Sequence, residues 1–534
     1  MSATSADVLI IGGGLGGVSA ALAALRAGRA VIITEQYAWL GGQLTSQAVP
    51  LDEHTWIEQF GATSSYRELR NGIRDYYRQW YPLSENARAQ VDLNPGAGLV
   101  SRMCAEPRVA VAVIDALLAP YLGAGRLTVL RGVVPVAASV DSDVVRSVTV
   151  RDLRTGVETE LSGSFVLDAT ETGELLPLTG TEYITGAESR DQTGEPSAPA
   201  VADSTNVQAL SWCFVIDHVE GDHTIEKPRD YDYWRAFQPE FWGAPMLSLT
   251  APHPRSLEIE TRTFTPTIDD DPFALVADQR EDGGDSELWT FRRILSQKVL
   301  APGFLPSDLV LVNWPMIDYV GGSIIDNPDA ASHLDAARQL SYSMFYWLQT
   351  EAPRPDGGTG WPGLRLRGDI TGTDDGLAQA PYIRESRRIK AEYTVVEGDL
   401  SIEVRGHGRP ATYFDSVGVG MYRIDLHPST GGDNYIDVAS APFEIPLGAL
   451  IPVRMNNLLP AGKNVGTTHI TNGAFRLHPV EWGIGEAAGW LAAFCLDRAT
   501  DPRAVRNTPS LLEEFQSLLT RRGVELHWPD VTGY

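Results

Sequence analysis

Gly12, Gly14 and Gly17 stand at the spacing G-x-G-x-x-G, and an acid, Glu35, follows about 20 residues further on. These residue types at this spacing could hold a dinucleotide. Gly12 lets the chain turn sharply, Gly14 offers bare backbone to a pyrophosphate, and Gly17 lets a helix pack closely. The free N–H groups at the start of that helix face the phosphate anion. Glu35 would accept hydrogen bonds from an adenosine ribose. Three elements must position these residues. Asp7 to Ile11 reads as a short apolar strand, Val18 to Ala27 as an Ala- and Leu-rich helix, and Ala30 to Thr34 as the strand that delivers Glu35. The spacing alone is a weak signal. Its seat between strand and helix, with the acid at the end of the next strand, separates it from an ordinary Gly-rich turn.

The 534 residues suffice for a large core and about two domains. A net charge of −26 without a basic patch argues against nucleic acid and against an anionic membrane surface. Cys104, Cys213 and Cys495 form no C-x-x-C pair and no metal-type spacing, so reduced thiols, no metal and a cytoplasmic setting are expected. No basic stretch followed by an apolar one opens the chain, and no apolar run approaches the ~20 residues of a membrane span.

Beyond residue 45 the pattern changes. Tyr66 to Tyr81 reads as a helix with aromatic and Arg faces despite Gly72, and Pro107 to Leu122 as an apolar helix. Leu127 to Leu130 should pair beside the strand ending at Glu35. Val133–Ser139, Val144–Arg151 and Glu158–Leu161 alternate as a β-meander, and Ser164 to Leu167 is a further buried strand running into Asp168. Residues 186–445 are rich in Trp, Tyr, Pro and acids, with one long helix at Asp329 to Thr350. Asp269 to Glu287 carries eight acids against Arg280 and reads as a solvated excursion. Near the C-terminus, Gly483 is expected to open a small-residue helix.

Four segments together resemble the FAD-dependent oxidoreductases of the glutathione-reductase-like superfamily: Asp7 to Thr45, Asp168-Ala-Thr, Ile383-Arg-Glu-Ser-Arg-Arg-Ile389, and Leu459 to Gly489. The resemblance implies an α/β fold: a Rossmann-like FAD-binding domain with an inserted β-rich α+β substrate domain. Residues 1–45, 101–185 and 446–500 would form the cofactor domain, 46–100 a helical insert, 186–445 the substrate domain and 501–534 a peripheral tail. FAD would lie against Gly12, Gly14, Leu15, Gly16, Gly17, Glu35 and Gln36. Gly41, Gly42, Gln43, Leu44 and Thr45 would line its flavin and phosphate side, and Val134 would meet adenine. Asp168, Ala169, Gly462 and Asn464 would stand near the pyrophosphate and ribityl chain. Glu486, Ala487, Ala488 and Gly489 would aim backbone donors at the pyrimidine edge. Two departures stand out: Glu171-Thr172 where the family has Gly-Asp, and Glu486 where it has Gln, with Lys463 as a candidate partner for Glu486.

The implied reaction is hydride removal from a C–H bond next to O or N of a small-molecule substrate, with reoxidation by oxygen or another acceptor. A monooxygenase, and a binding protein with structural FAD, stay open as alternatives, as does a homo-oligomer. The first candidate to take the proton is His469, which resembles a family histidine; its alternative role is to hold a turn. His427 and His478 follow. Arg384, Arg387 and Arg388 alternate with Glu385, which suits a buried ion-pair network for at least two of them. Otherwise Arg384 or Arg387 would bind a carboxylate or carbonyl at the flavin. Tyr382, Trp314 and Tyr319 could form an aromatic wall or belong to the core.

Overall fold

The computed structural model describes residues 4–277 and 286–534, so part of the acidic stretch 269–287 lies outside the described residues. The apolar run near the N-terminus is strand β1 (Ser5–Ile11), the centre of a seven-stranded sheet. Helix α1 (Leu15–Arg26) follows the glycine turn, and β2 (Val31–Glu35) returns parallel to β1, Leu9 opposite Ile32. Helices α2 (Ser64–Trp80) and α3 (Pro107–Gly123) come next. Thr63 caps α2 by accepting from the Tyr66 N–H. Gly72 is explained by contact, because a Cβ there would stand 2.7 Å from Val113 on α3.

Strand β3 (Leu127–Arg131) pairs parallel with β2, as expected. The meander is β4 (Val133–Asp141), β5 (Val144–Asp152) and β6 (Glu158–Asp168). The two strands expected at 158–161 and 164–167 are one. Its first half pairs antiparallel with β5, its second half parallel with β1, Ile11 opposite Asp168.

The middle of the chain builds a four-stranded antiparallel sheet from β7 (Phe214–His218), β8 (Arg293–Leu295), β9 (Leu309–Val312) and β10 (Leu364–Leu366), in the order β8-β9-β7-β10. The long helix α4 (Ala330–Thr350) lies between β9 and β10 in sequence. A hairpin of β11 (Ile424–Leu426) and β12 (Ile436–Val438) follows. One hydrophobic cluster joins Val8, Trp212, Leu311 and Leu491, so the middle segment shares its core with the sheet that opens the chain.

Strand β13 (Leu458–Pro460) then pairs parallel with β6 and brings the chain back beside Asp168. Helices α5 (His469–Phe475) and α6 (His478–Arg498) complete this return. Helix α6 begins at His478, with Pro479 in its first turn, and not at Gly483. Its glycines have another use. A Cβ at Gly485 would stand 2.0 Å from the Gly16 carbonyl oxygen, and one at Gly489 would stand 2.3 Å from that of Ala20. The small-residue run is therefore the seam along which α6 crosses α1. Gly485→Val should lower the unfolding free energy by about 1–3 kcal/mol, the range typical of overpacking, read as a fall in the urea midpoint. An unchanged midpoint would contradict this close crossing.

Candidate functional site

Two cavities flank the residues singled out by sequence. The first opens where β1, β2 and β6 end. It is lined by Gly12 to Gly14, Glu35, Gln36, Val133 to Pro135 and Ala169 to Thr172, and it continues to Gln47 and Ile383. Gly12 holds φ +92, and a Cβ there would stand 2.4 Å from the Ala169 backbone. The first-turn N–H groups of α1 have no partner within the helix and lie at this mouth. Glu35 accepts from the Gly13 N–H at 3.0 Å and from the Tyr37 N–H at 2.9 Å. Burial pushes its carboxyl up to about 8.

Lys463 and Glu481 adjoin this mouth from behind its lining, through Glu171 and the Gly16 N–H. Lys463 pairs with Glu171 and lies 3.7 Å from Glu481, while Glu481 accepts from the Gly16 N–H at 3.4 Å and from Gln43. Burial works to lower the Lys463 pKa, but the two carboxylates outweigh it and raise the value. Lys463 is thus an ammonium beside the phosphate-type cradle and is not the partner of Glu486. Glu481, Tyr37 and Gln47 escaped the sequence reading because no spacing rule marks them.

The second cavity is lined by Asp52, Arg292, Asn313, Asp425, His427 and Tyr435 among others. His427 follows directly on β11, and its ring lies 5.4 Å from that of Tyr435. Its Nδ1 is 2.5 Å from Asp318 Oδ2, and Asp318 Oδ1 receives Ser211 Oγ at 2.5 Å and Arg384 Nη2 at 3.0 Å. Burial alone would raise the Asp318 pKa; Arg384 and His427 bring it below the usual value. Burial and then Arg384 lower the His427 pKa, with Asp318 acting the other way. The imidazole is therefore neutral near pH 7, its Nδ1–H donated to Asp318 and its Nε2 left as a lone-pair base.

Two hydrogen-bonded links cross the wall between the cavities. Ile383 lines the first cavity, and its neighbour Arg384 reaches His427 through Asp318. Tyr382 lies between Pro381 and Ile383, both lining the first cavity. Its hydroxyl accepts from Arg476 at 2.9 Å, and Arg476 meets Asp425 of the second cavity at 2.9 Å.

Several expected contacts fall elsewhere. His469 lies outside the lining of both cavities, pairs through Nδ1 with Glu385 at 3.0 Å, and takes Glu188 on its backbone N–H. Against burial, Glu385 raises its pKa. It sits in the network of Arg388, Glu385 and Glu188, which matches the turn-holding alternative given for it. Arg384 is buried on Asp318 and lines neither large cavity; it positions His427. Arg387 pairs with Asp326. His478 is fixed by the Asp52 N–H and the Val49 carbonyl, and burial lowers its pKa to about 3.

Glu486, Ala487, Ala488 and Gly489 lie inside α6, where helical bonding occupies their N–H groups. Glu486 turns to Ser65 at 2.5 Å, away from the cradle. The Gln43 amide N–H groups go to Glu481 and the Arg476 carbonyl while its Oε1 is buried without a partner, Leu44 is buried in the core, and Thr45 Oγ1 donates to the Leu40 carbonyl. Gly41 and Gly42 carry positive φ and bring this turn against Gly13 and Gly14. Asp168 gathers the N–H groups of Thr170 and Leu175, and Asn464 donates to the Asp168 carbonyl.

The profile of the FAD-dependent oxidoreductases matches residues 7–519. The chain belongs to this FAD-dependent oxidoreductase family. No protein of curated function matches it in sequence. Similar solved structures include a myxobacterial chondrochloren halogenase at 14% identity (42% of this chain, 46% of that one, TM-score 0.22). A glycerol-3-phosphate dehydrogenase from Bacillus halodurans complexed with FAD is 13% identical (41% of each chain, TM-score 0.24). A p-nitrophenol 4-monooxygenase from Pseudomonas putida is 14% identical (40% and 49%, TM-score 0.25). The chain spans less than half the length of each of these.

FAD fits the first cavity by the chemistry of its donors. Glu35 suits the ribose, the first turn of α1 and the Lys463 ammonium suit the pyrophosphate, and Val134 borders the adenine end. No helix among the described residues is long and apolar enough to cross a membrane. Gly14→Ala tests the cradle. Its Cβ would meet the movable end of Glu171 at 3.0 Å and the Ala169 carbonyl at 3.1 Å, so the fold should survive while the pyrophosphate loses its approach. The flavin-to-protein ratio after desalting should fall at least about tenfold, the equivalent of 1.4 kcal/mol, with near-normal circular dichroism. Full retention of flavin would place the pyrophosphate elsewhere.

Proposed function

We propose that this family member oxidises a small organic molecule in the second cavity while FAD occupies the first. FAD supplies a two-electron sink for hydride and is reoxidised by oxygen or another acceptor. The observation that carries the reading is the His427–Asp318 pair, set on the second cavity and linked through Arg384 to the wall of the first. Asp318 fixes the tautomer of His427, so Nε2 can take the proton from an O–H or N–H group of the substrate as the adjacent C–H bond loses its hydride. The products are then a carbonyl compound or an imine, and a protonated imidazole stabilised by Asp318. Arg384 compensates the Asp318 charge and keeps it in place. The wall made by Tyr382, Arg476 and Asp425 would orient the substrate and keep bulk water from the reacting carbon.

His427→Gln should retain FAD and slow anaerobic flavin bleaching by about 10²–10⁴-fold, the range of general base catalysis. The substrate for this assay is whichever compound of a metabolite panel bleaches the wild type fastest. An unchanged rate removes His427 from the reaction. The sign of the pH dependence also follows. The base form of His427 exists above its pKa, which lies below 6.5, so the reduction rate should hold down to that pH and fall only on further acidification. A rate that rises on acidification would contradict a neutral imidazole base.

A further inference from the structure

The second cavity carries polar groups that the protein leaves unmet. Arg292 has Nε and Nη1 buried without a partner, and its guanidinium lies 5.0 Å from the centroid of the adjacent Phe291 ring. Asn313 Oδ1 and the Tyr435 hydroxyl are also buried and unpartnered. Among the described residues the Asp52 carboxylate receives no hydrogen bond, although Arg292 acts on it through space. Arg102 also lines this cavity, and the other carboxylates of the wall are paired within the protein. Glu53 is taken by Arg70, Asp425 by Arg476, and Asp437 by Arg423.

Each buried donor or acceptor left unmet costs free energy, and several of them on one cavity wall are accounted for by a ligand that completes them. The unmet set is specific. Arg292 offers a planar two-pronged donor, which matches a carboxylate. Asn313 Oδ1 and Asp52 offer acceptors, which match a hydroxyl or amino group. Tyr435 serves either side.

We propose that the second cavity binds a small carboxylic acid that also bears a hydroxyl or amino group. Arg292 takes the carboxylate, and Asn313 and Asp52 take the hydroxyl or amine. This rests on reading the cavity as the substrate site. That arrangement leaves the C–H bond beside the oxygen or nitrogen as the one to be oxidised, with His427 on the same cavity wall to accept the proton.

The test uses FAD-loaded enzyme titrated with lactate, alanine, propionate, lactamide and 1-propanol, read in parallel by thermal shift and by perturbation of the flavin absorbance. Lactate, alanine or both should bind at least tenfold more tightly than propionate, and the two neutral compounds should bind no better than propionate. Lactate against alanine distinguishes a hydroxy acid from an amino acid. Arg292→Met, which breaks no hydrogen bond or ion pair of another residue but removes the charge acting on Asp52 through space, should weaken carboxylate binding at least tenfold with FAD content unchanged. Asn313→Leu, which removes the acceptor offered to the hydroxyl or amine, should weaken lactate or alanine binding while leaving propionate binding unchanged. His427→Gln should leave carboxylate binding intact. Equal binding of the neutral compounds, no binding of any carboxylate, or unchanged lactate and alanine affinity in both Arg292→Met and Asn313→Leu overturns the proposal. A thermal shift without any flavin perturbation keeps the carboxylate site but removes it from the flavin. Flavin bleaching by a neutral alcohol or amine keeps the oxidoreductase reading and overturns the carboxylate.

Discussion

The cofactor site depends on backbone meeting backbone at the carboxyl ends of β1, β6 and β13. Gly12 packs on Ala169, and a Cβ at Gly16 would stand 1.7 Å from the Ala461 carbonyl oxygen. No side chain could be placed there without parting the strands. Three segments far apart in sequence are therefore held within one cradle, and the seam of α1 on α6 continues the same contact through Gly485 and Gly489. Glu481 and Lys463 reach the mouth because this contact brings the start of α6 and the loop after β13 to the N-terminus of α1.

The same economy explains the second cavity. Its polar wall comes from the hairpin of β11 and β12, from Arg292 just before β8, from Asn313 just after β9, and from the segment around Asp52. None of these is close to another in sequence. They meet because the middle segment shares one core with the sheet at the N-terminus. The buried network of Arg388, Glu385, Glu188 and His469 ties the two parts together. A buried charge network of this kind is weak evidence of net stability, because desolvation offsets its attraction.

The motif glycines, Glu35, the meander and the pairing of β3 beside β2 were legible in sequence because each follows from local rules of spacing and alternation. The role of His469 was not. A histidine after a Thr-Thr pair in a motif segment carries no mark of whether its ring faces a cavity or Glu385. Glu486 to Gly489 were misplaced for a related reason: small residues suit both a ligand-facing helix start and a helix crossing, and only the true start at His478 separates the two. His427 was legible as a residue type, but its importance depends on Asp318, 109 positions earlier in the chain, which no local pattern connects to it.

The central claim is that the two cavities serve one reaction across the wall formed by Tyr382, Arg384 and Arg476. The most direct measurement is a crystal structure of the FAD-loaded protein. The account predicts adenosine at Glu35 and Val134, pyrophosphate at the first turn of α1 near Lys463, and the isoalloxazine ring reaching the Gln47 and Tyr382 end with one face toward His427. A ring that ends away from the second cavity, or an adenosine bound elsewhere, would contradict it.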